Sequence, residues 1–132
     1  MPQAQNLVVK NGAATPVDKT FVLMSPAAGD GGLAEWVLKE GTISVAFPVF
    51  TAMATKTGNG ARNLKLKLKM PSSYTSPVTG LTNVGSNADF NVSLTIPNTY
   101  PEALKDDFTA FAVNLLTTSL VKAMIRDAIS AT

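Results

Sequence analysis

Apolar and charged residues alternate without a break over the seven residues from Leu64 to Met70. The odd-numbered positions are Lys65, Lys67 and Lys69, and every even-numbered position is Leu or Met. A period of two over this length predicts a β-strand, because a helix would scatter the lysines around its circumference. The sequence therefore predicts a sheet with one apolar face and one cationic face.

A second strand, Asp89–Pro97, alternates in the same way. Its polar side includes Asn91 and Ser93, which would lie beside the lysines if the two strands are neighbours. Lysines neutralise phosphates, and Asn and Ser side chains hydrogen-bond base edges and sugar hydroxyls. The predicted polar face therefore has the composition of a platform for single-stranded or hairpin RNA. The alternative is a solvated outer face, on which lysine discourages aggregation between sheet edges.

The rest of the first hundred residues also favours β-structure. Asn11-Gly12 is a strong turn signal and predicts an N-terminal hairpin over residues 5–24. The main sheet is predicted over residues 33–97, and Pro48 marks a bulge or a strand start within it. Residues 71–87 are rich in Ser, Thr, Pro, Gly and Asn and are predicted to form a long functional loop. Further strands are predicted before the lysine strand, at residues 17–24, 33–40 and 43–55.

The hydrophobic period changes after Pro97, and two helices are predicted within residues 99–130. Thr99 and Glu102 have the spacing of a capping box, and residues 117–119 interrupt the helical pattern. The first helix carries an apolar stripe at Leu104, Phe108, Phe111 and Leu115. Strands followed by helices indicate an α+β fold, in a single domain over residues 1–132, with the helices on one face of an antiparallel sheet. That sheet belongs either to the same subunit or, in a C2 exchange, to a neighbour.

Composition narrows the classes of function. Only 15% of residues are charged, against about 25% in typical globular domains, so some surface is expected to be buried against copies of the chain. The net charge of +2 means that a nucleic-acid partner requires the positive charge to be concentrated on one face. The chain has no Cys and no His, so the commonest general base and metal ligand are missing. We expect no enzyme activity, cofactor, metal, small-molecule substrate or membrane partner, and a soluble, intracellular protein when it is made.

Several motifs occur in a specific order along the chain. They are the Asn11-Gly12 hairpin, the Gly32-Leu-Ala-Glu-Trp36 segment, the alternating Ala61–Pro71 strand, the Asn91-Val-Ser-Leu-Thr-Ile-Pro97 strand end and the two C-terminal helices. Their order and spacing resemble the coat proteins of single-stranded RNA bacteriophages, the leviviruses. The resemblance runs over nearly the whole chain.

The resemblance implies an N-terminal β-hairpin, a five-stranded antiparallel sheet and two C-terminal helices that pack on the sheet of a dimer partner. Two subunits would join their sheets edge to edge, and the dimers would build an icosahedral shell with the polar face turned inward to RNA. The loop at residues 71–87 would make contacts around the symmetry axes. The protein would be made in the cytoplasm of a bacterial host and reside in the virion. In some members of the family the same face binds an operator hairpin and represses translation of the replicase.

The resemblance also assigns residues. Lys67 corresponds to the RNA-facing lysine of the family, Asn91 to its inward Asn, and Thr51 to a Ser on the preceding strand. Asp89 departs from the family pattern, because it occupies the position that can carry a Tyr stacking on an RNA base. The predicted RNA-binding residues are Lys65, Lys67, Lys69, Asn91, Ser93, Thr51 and Arg62. The predicted dimer interface comprises Leu104, Phe108, Phe111 and Leu115.

Two rival functions remain open from the sequence. The first is a dimeric RNA-binding regulator that never assembles. The second is a protein-only structural unit of a tube or fibre, with the lysines merely solvated. The extra lysines at Lys65 and Lys69 favour a general, salt-sensitive attraction to RNA.

Overall fold

The computed structural model describes residues 3–41 and 43–132. The chain divides into a sheet unit that ends at Ile96 and a helical unit that begins at Pro97. Within the described residues, the sheet unit contains six strands: β1 (Leu7–Lys10), β2 (Asp18–Ser25), β3 (Leu33–Val37), β4 (Val49–Lys56), β5 (Arg62–Thr75) and β6 (Thr82–Ile96). All neighbouring strands are antiparallel and follow one another in sequence order across one sheet.

The sheet has six strands instead of the five predicted, because β2 pairs with both β1 and β3 and so joins the hairpin to the sheet. The first half of β2 pairs with β1, as in Phe21 opposite Leu7, and its second half pairs with β3, as in Leu23 opposite Trp36. The hairpin is therefore continuous with the main sheet. Its turn is held by Asn11, whose Oδ1 accepts hydrogen bonds from the backbone N–H groups of Ala13 and Val17 at 3.3 and 3.0 Å.

The predicted strand 43–55 begins later than expected. Residues Ser44–Ala46 form a 3-10 helix, and β4 starts only at Val49, directly after Pro48. Proline has no N–H to donate to a ladder, so regular pairing begins after it. The carbonyl of Pro48 still accepts a hydrogen bond from the N–H of Leu38 at 2.9 Å. The strand predicted at residues 33–40 likewise ends early, at Val37.

The prediction of a long loop at residues 71–87 is wrong. β5 continues to Thr75, β6 begins at Thr82, and the chain reverses between them through a short turn. In that turn the N–H of Ser76 donates to the carbonyl of Leu81 at 2.8 Å, and Gly80 has a φ of +71°, which suits glycine. The ladder shifts register just after Pro71, where the missing donor interrupts pairing.

The core of the sheet unit is small. The buried residues of the described chain are Ala34, Trp36, Ala46, Pro48 and Ala61. The indole N–H of Trp36 donates to the carbonyl of Gln5 at 2.7 Å, and its ring lies 5.5 Å from that of Phe50. Within the described residues no large side chain is completely buried. A single chain therefore leaves much of its apolar surface exposed.

The first helix, α1, spans Glu102–Thr117. Its N-cap is Pro101, whose side chain makes no capping hydrogen bond, so the capping box predicted from Thr99 does not form. Proline suits a helix start because its ring fixes φ near the helical value. The ring of Tyr100 instead meets that of Phe108 edge-on, with the ring centroids 6.2 Å apart.

The second helix, α2, spans Ser119–Asp127, and the break between the helices falls at Thr118. The Thr118 hydroxyl accepts a hydrogen bond from the N–H of Val121 at 3.4 Å and so caps α2. In the described part of the chain no single helix is long and apolar enough to cross a membrane, although α1 and α2, bent by 62°, reach that length and composition together.

Candidate nucleic-acid interface

The lysine strand forms as the alternation predicts. Lys65, Lys67 and Lys69 lie on one face of β5 and are exposed, whereas Leu64, Leu66 and Leu68 lie on the other face and are half-buried. The lysine Cα atoms are separated by two residues each, or about 6.8 Å along the strand. One face of the sheet therefore carries a column of three ammonium groups.

The neighbouring strands place polar side chains beside this column. In an antiparallel ladder, directly opposite residues share a face. Lys67 lies between Thr51 on β4 and Asn91 on β6, and Lys65 lies opposite Ser93 on β6. The structure thus brings together six of the seven predicted RNA-binding residues: Lys65, Lys67, Lys69, Thr51, Asn91 and Ser93.

Arg62 is the seventh predicted residue, and the structure does not bring it to this face. Arg62 lies three positions before Lys65, and an odd difference in position puts two strand residues on opposite faces. Arg62 therefore lies on the same side of β5 as Leu64. Its guanidinium forms a salt bridge with the carboxylate of Asp30. Arg62 therefore does not share a face with the lysines, because nearness in sequence does not place two strand residues on one face. Its contact with RNA stays a prediction.

The lysine column has no ionic partner among the residues that the structure describes. The five salt bridges found there use other cations: Lys10, Lys19, Arg62, Lys105 and Arg126. The acidic residues that share the rows of the column are Asp89, directly opposite Lys69, and Glu35, which lies opposite Thr51 and so two strands away from Lys67. The column is therefore free to attract an external anion along most of its length.

The structure adds residues to this face that the prediction did not include. Asn63 continues the lysine column by one step, with Thr55 and Thr95 on either side of it. The hydroxyl of Thr95 donates to Oδ1 of Asn63 at 2.7 Å. Extending the alternation back from Lys65 would have found Asn63. Glu35 could not be found in this way, because its place depends on the register between β3 and β4.

The apolar stripe on α1 is exposed in the single chain. Phe111 is 65% exposed, and Phe108 is half-buried beside Tyr100. Leu104 and Leu115 are also exposed. Neither helix contains a buried residue. The four predicted interface residues thus keep apolar surface available for contact.

The polar side chains of this face carry mainly ammonium, amide and hydroxyl groups. Among the described residues, no three Asp or Glu side chains are grouped in a way that could hold a metal ion. Lysine, amide and hydroxyl groups on an open sheet surface can instead donate hydrogen bonds to an extended anion. The arrangement therefore suits a binding surface for a polyanion.

Comparisons with known proteins identify the family and the fold. The family model described as "Levivirus coat protein" matches residues 2–132. The solved virus-like particle of bacteriophage NT-214 is 26% identical, with a TM-score of 0.86 over 99% of this chain and 100% of that chain. The virus-like particle of bacteriophage ESE058 (20% identity, TM-score 0.81, 99% and 100% covered) and the capsid protein of bacteriophage GA (22%, 0.65, 93% and 94%) share the fold. No curated protein sequence matches.

Proposed function

Because the chain belongs to the levivirus coat protein family, we propose that this capsid protein dimerises, assembles into an icosahedral shell and packages single-stranded RNA on its lysine-bearing sheet face. Its role is structural rather than enzymatic. The observation that carries the RNA proposal is the column of three exposed lysines, which have no ionic partner in the described chain and lie between rows of polar side chains. RNA supplies the anionic charge that this face lacks.

Dimerisation is supported by two surfaces. β6 is an edge strand of 15 residues, and its outer backbone groups have no neighbouring strand within the described chain. A long exposed edge is a template for pairing with another chain. The apolar stripe on α1 is the second surface. Several large apolar side chains exposed side by side are typical of a surface that a partner covers. Pairing of β6 with the partner's β6, and packing of α1 on the partner's sheet, would cover both.

Assembly is supported by the relatives. The protein of bacteriophage NT-214 forms a virus-like particle, and this chain matches it from end to end. In the proposed shell the polar face of the sheet is turned inward to the RNA, as the family resemblance implies. A repressor role at an operator hairpin is not part of the proposal, because the position that can carry a stacking Tyr in the family is Asp89 here.

A triple variant tests the RNA proposal: Lys65→Ser, Lys67→Ser and Lys69→Ser together. We expect purified particles or dimers of the variant to carry much less RNA than the wild type, measured as the ratio of nucleic-acid to protein absorbance. Lys67→Ser alone is compared with Lys56→Ser, which removes a cation from the opposite face of the same sheet. Undiminished RNA in the triple variant would refute RNA binding by this face.

Size-exclusion chromatography of the purified wild type tests assembly separately. Particles of virus-like size support a coat protein that builds shells. A dimer that carries RNA but never forms particles would instead favour the non-assembling regulator. Particles free of nucleic acid would favour a protein-only structural unit.

A further inference from the structure

The polar face lacks the groups that usually read bases. In the rows that contain Lys65, Lys67 and Lys69, no described side chain is aromatic. The aromatic residues closest to these rows in the ladder, Trp36, Phe50 and Phe90, lie opposite one another or opposite Leu68, on the apolar face. Stacking on an aromatic ring contributes about 1–3 kcal/mol per base at single-strand sites. This face therefore depends on charge and hydrogen bonding.

The charge on the face is not uniform along the lysine column. Lys65 and Lys67 have neutral neighbours on both sides, since the residues opposite them are Met53, Thr51, Ser93 and Asn91. Lys69 differs because Asp89 lies directly opposite it on β6, where cross-strand Cβ atoms are about 5 Å apart. Opposite charges at this separation offset each other's field. The carboxylate of Asp89 also repels an approaching phosphate.

We infer that this face binds the sugar–phosphate backbone of single-stranded RNA without selecting bases, and that Asp89 limits the phosphate contacts of the lysine column to Lys65 and Lys67. The inference rests on the proposed function and specifies the kind of RNA contact it uses. Phosphates contact the two lysines, and the neighbouring Asn91 and Ser93 donate or accept hydrogen bonds at phosphate or ribose oxygens. Lys69 contributes little because its charge is already offset.

The test uses the full-length protein, kept below the concentration at which particles form, and fluorescently labelled RNA. Three probes of equal length are compared by anisotropy at several salt concentrations: an unstructured strand, a strand of the same composition in permuted order, and a stable hairpin. We expect affinities for the two unstructured strands to agree within about threefold, since backbone contacts carry no sequence information. Each neutralised phosphate contributes a salt slope of about −0.7 for a single strand, so two lysines give about −1.4 per subunit.

Asp89 is tested by a double-mutant cycle. Asp89→Asn should strengthen binding about fivefold, the effect of one unit charge close to a phosphate in water, and steepen the slope by about 0.7 per subunit. Lys69→Gln should change wild-type binding little but abolish the gain in the Asp89→Asn background. Lys67→Gln should weaken binding in both backgrounds, and Lys56→Gln, on the opposite face, should leave it unchanged.

The outcomes separate the inference from the proposed function. A preference above tenfold for the hairpin or for one base order would overturn backbone-only binding. Unchanged or weaker binding by Asp89→Asn would overturn the role of Asp89. Failure of the wild type to bind any of the probes, or normal binding by Lys67→Gln, would reject RNA binding by this face, the part of the proposed function on which the inference rests.

Discussion

Truncating Phe111 should weaken the proposed dimer far more than it weakens the subunit. Phe111 lies in the apolar stripe of α1 and is 65% exposed in the single chain. A phenylalanine presents about 200 Å², so about 130 Å² becomes buried if a partner covers the ring completely. At about 25 cal/mol per Å² this area contributes about 3 kcal/mol per subunit. A symmetric dimer buries the ring twice, so Phe111→Ala should raise the dimer Kd by about four orders of magnitude.

Sedimentation equilibrium of full-length protein measures this Kd directly. Far-ultraviolet circular dichroism of the same samples reports whether the subunit keeps its secondary structure. Val113→Ala is the matched control, because Val113 is 54% exposed but lies about 200° around α1 from Phe111. We expect the control to dimerise like the wild type, whereas Phe111→Ala is largely monomeric at micromolar concentration and retains its circular dichroism spectrum.

A dimer of wild-type stability from Phe111→Ala would refute this reasoning. If Val113→Ala weakened the dimer in the same experiment, the interface would lie on the other side of α1. If both variants dimerised normally, the edge of β6 would be the surface that holds the subunits together.

Two further changes probe the sheet unit. Trp36→Phe removes the hydrogen bond from the indole to the carbonyl of Gln5. It should lower the free energy of unfolding by about 1 kcal/mol, measured by denaturant titration. An unchanged denaturation midpoint would contradict a structural role for that hydrogen bond. Arg62→Gln breaks only an exposed salt bridge with Asp30, so stability should fall by less than about 1 kcal/mol. The RNA content of purified particles, measured by absorbance, should stay at the wild-type level. A clear loss of RNA would show that Arg62 contributes to RNA binding.

The cationic face could be predicted because its signal is local. A period of two fixes which side chains share a face, whatever the strand pairs with, so Lys65, Lys67 and Lys69 were placed together from the sequence. The same rule applied strictly would have excluded Arg62, since its position relative to the lysines is odd. The polar side of β6 followed in the same way, and the ladder then paired Asn91 with Lys67.

The extent of β5 and β6 could not be predicted because it depends on pairing between distant residues. Ser, Thr and Asn are common in loops, so residues 71–87 carry no local signal for a strand. In the folded sheet, Thr75 lies opposite Thr82, and their hydroxyl oxygens are 3.1 Å apart. Backbone pairing along the two strands outweighs the weak local preference for a loop. The place of Glu35 beside Thr51 depends on register in the same way.

If the lysine column binds RNA as proposed, binding is linked to the stability of the subunit. Its ammonium groups form no salt bridge in the described chain, and only Lys69 has a carboxylate, that of Asp89, directly opposite it. Lys65 and Lys67 affect folding mainly through their repulsion of each other and of Lys69. Two unit charges about 6.8 Å apart in water repel by about 0.6 kcal/mol, and salt reduces this further. The column therefore destabilises the subunit only slightly, and an anion bound along it removes the repulsion. Since a ligand that binds only the folded state stabilises it, RNA on this face should favour folded subunits as well as fill the shell.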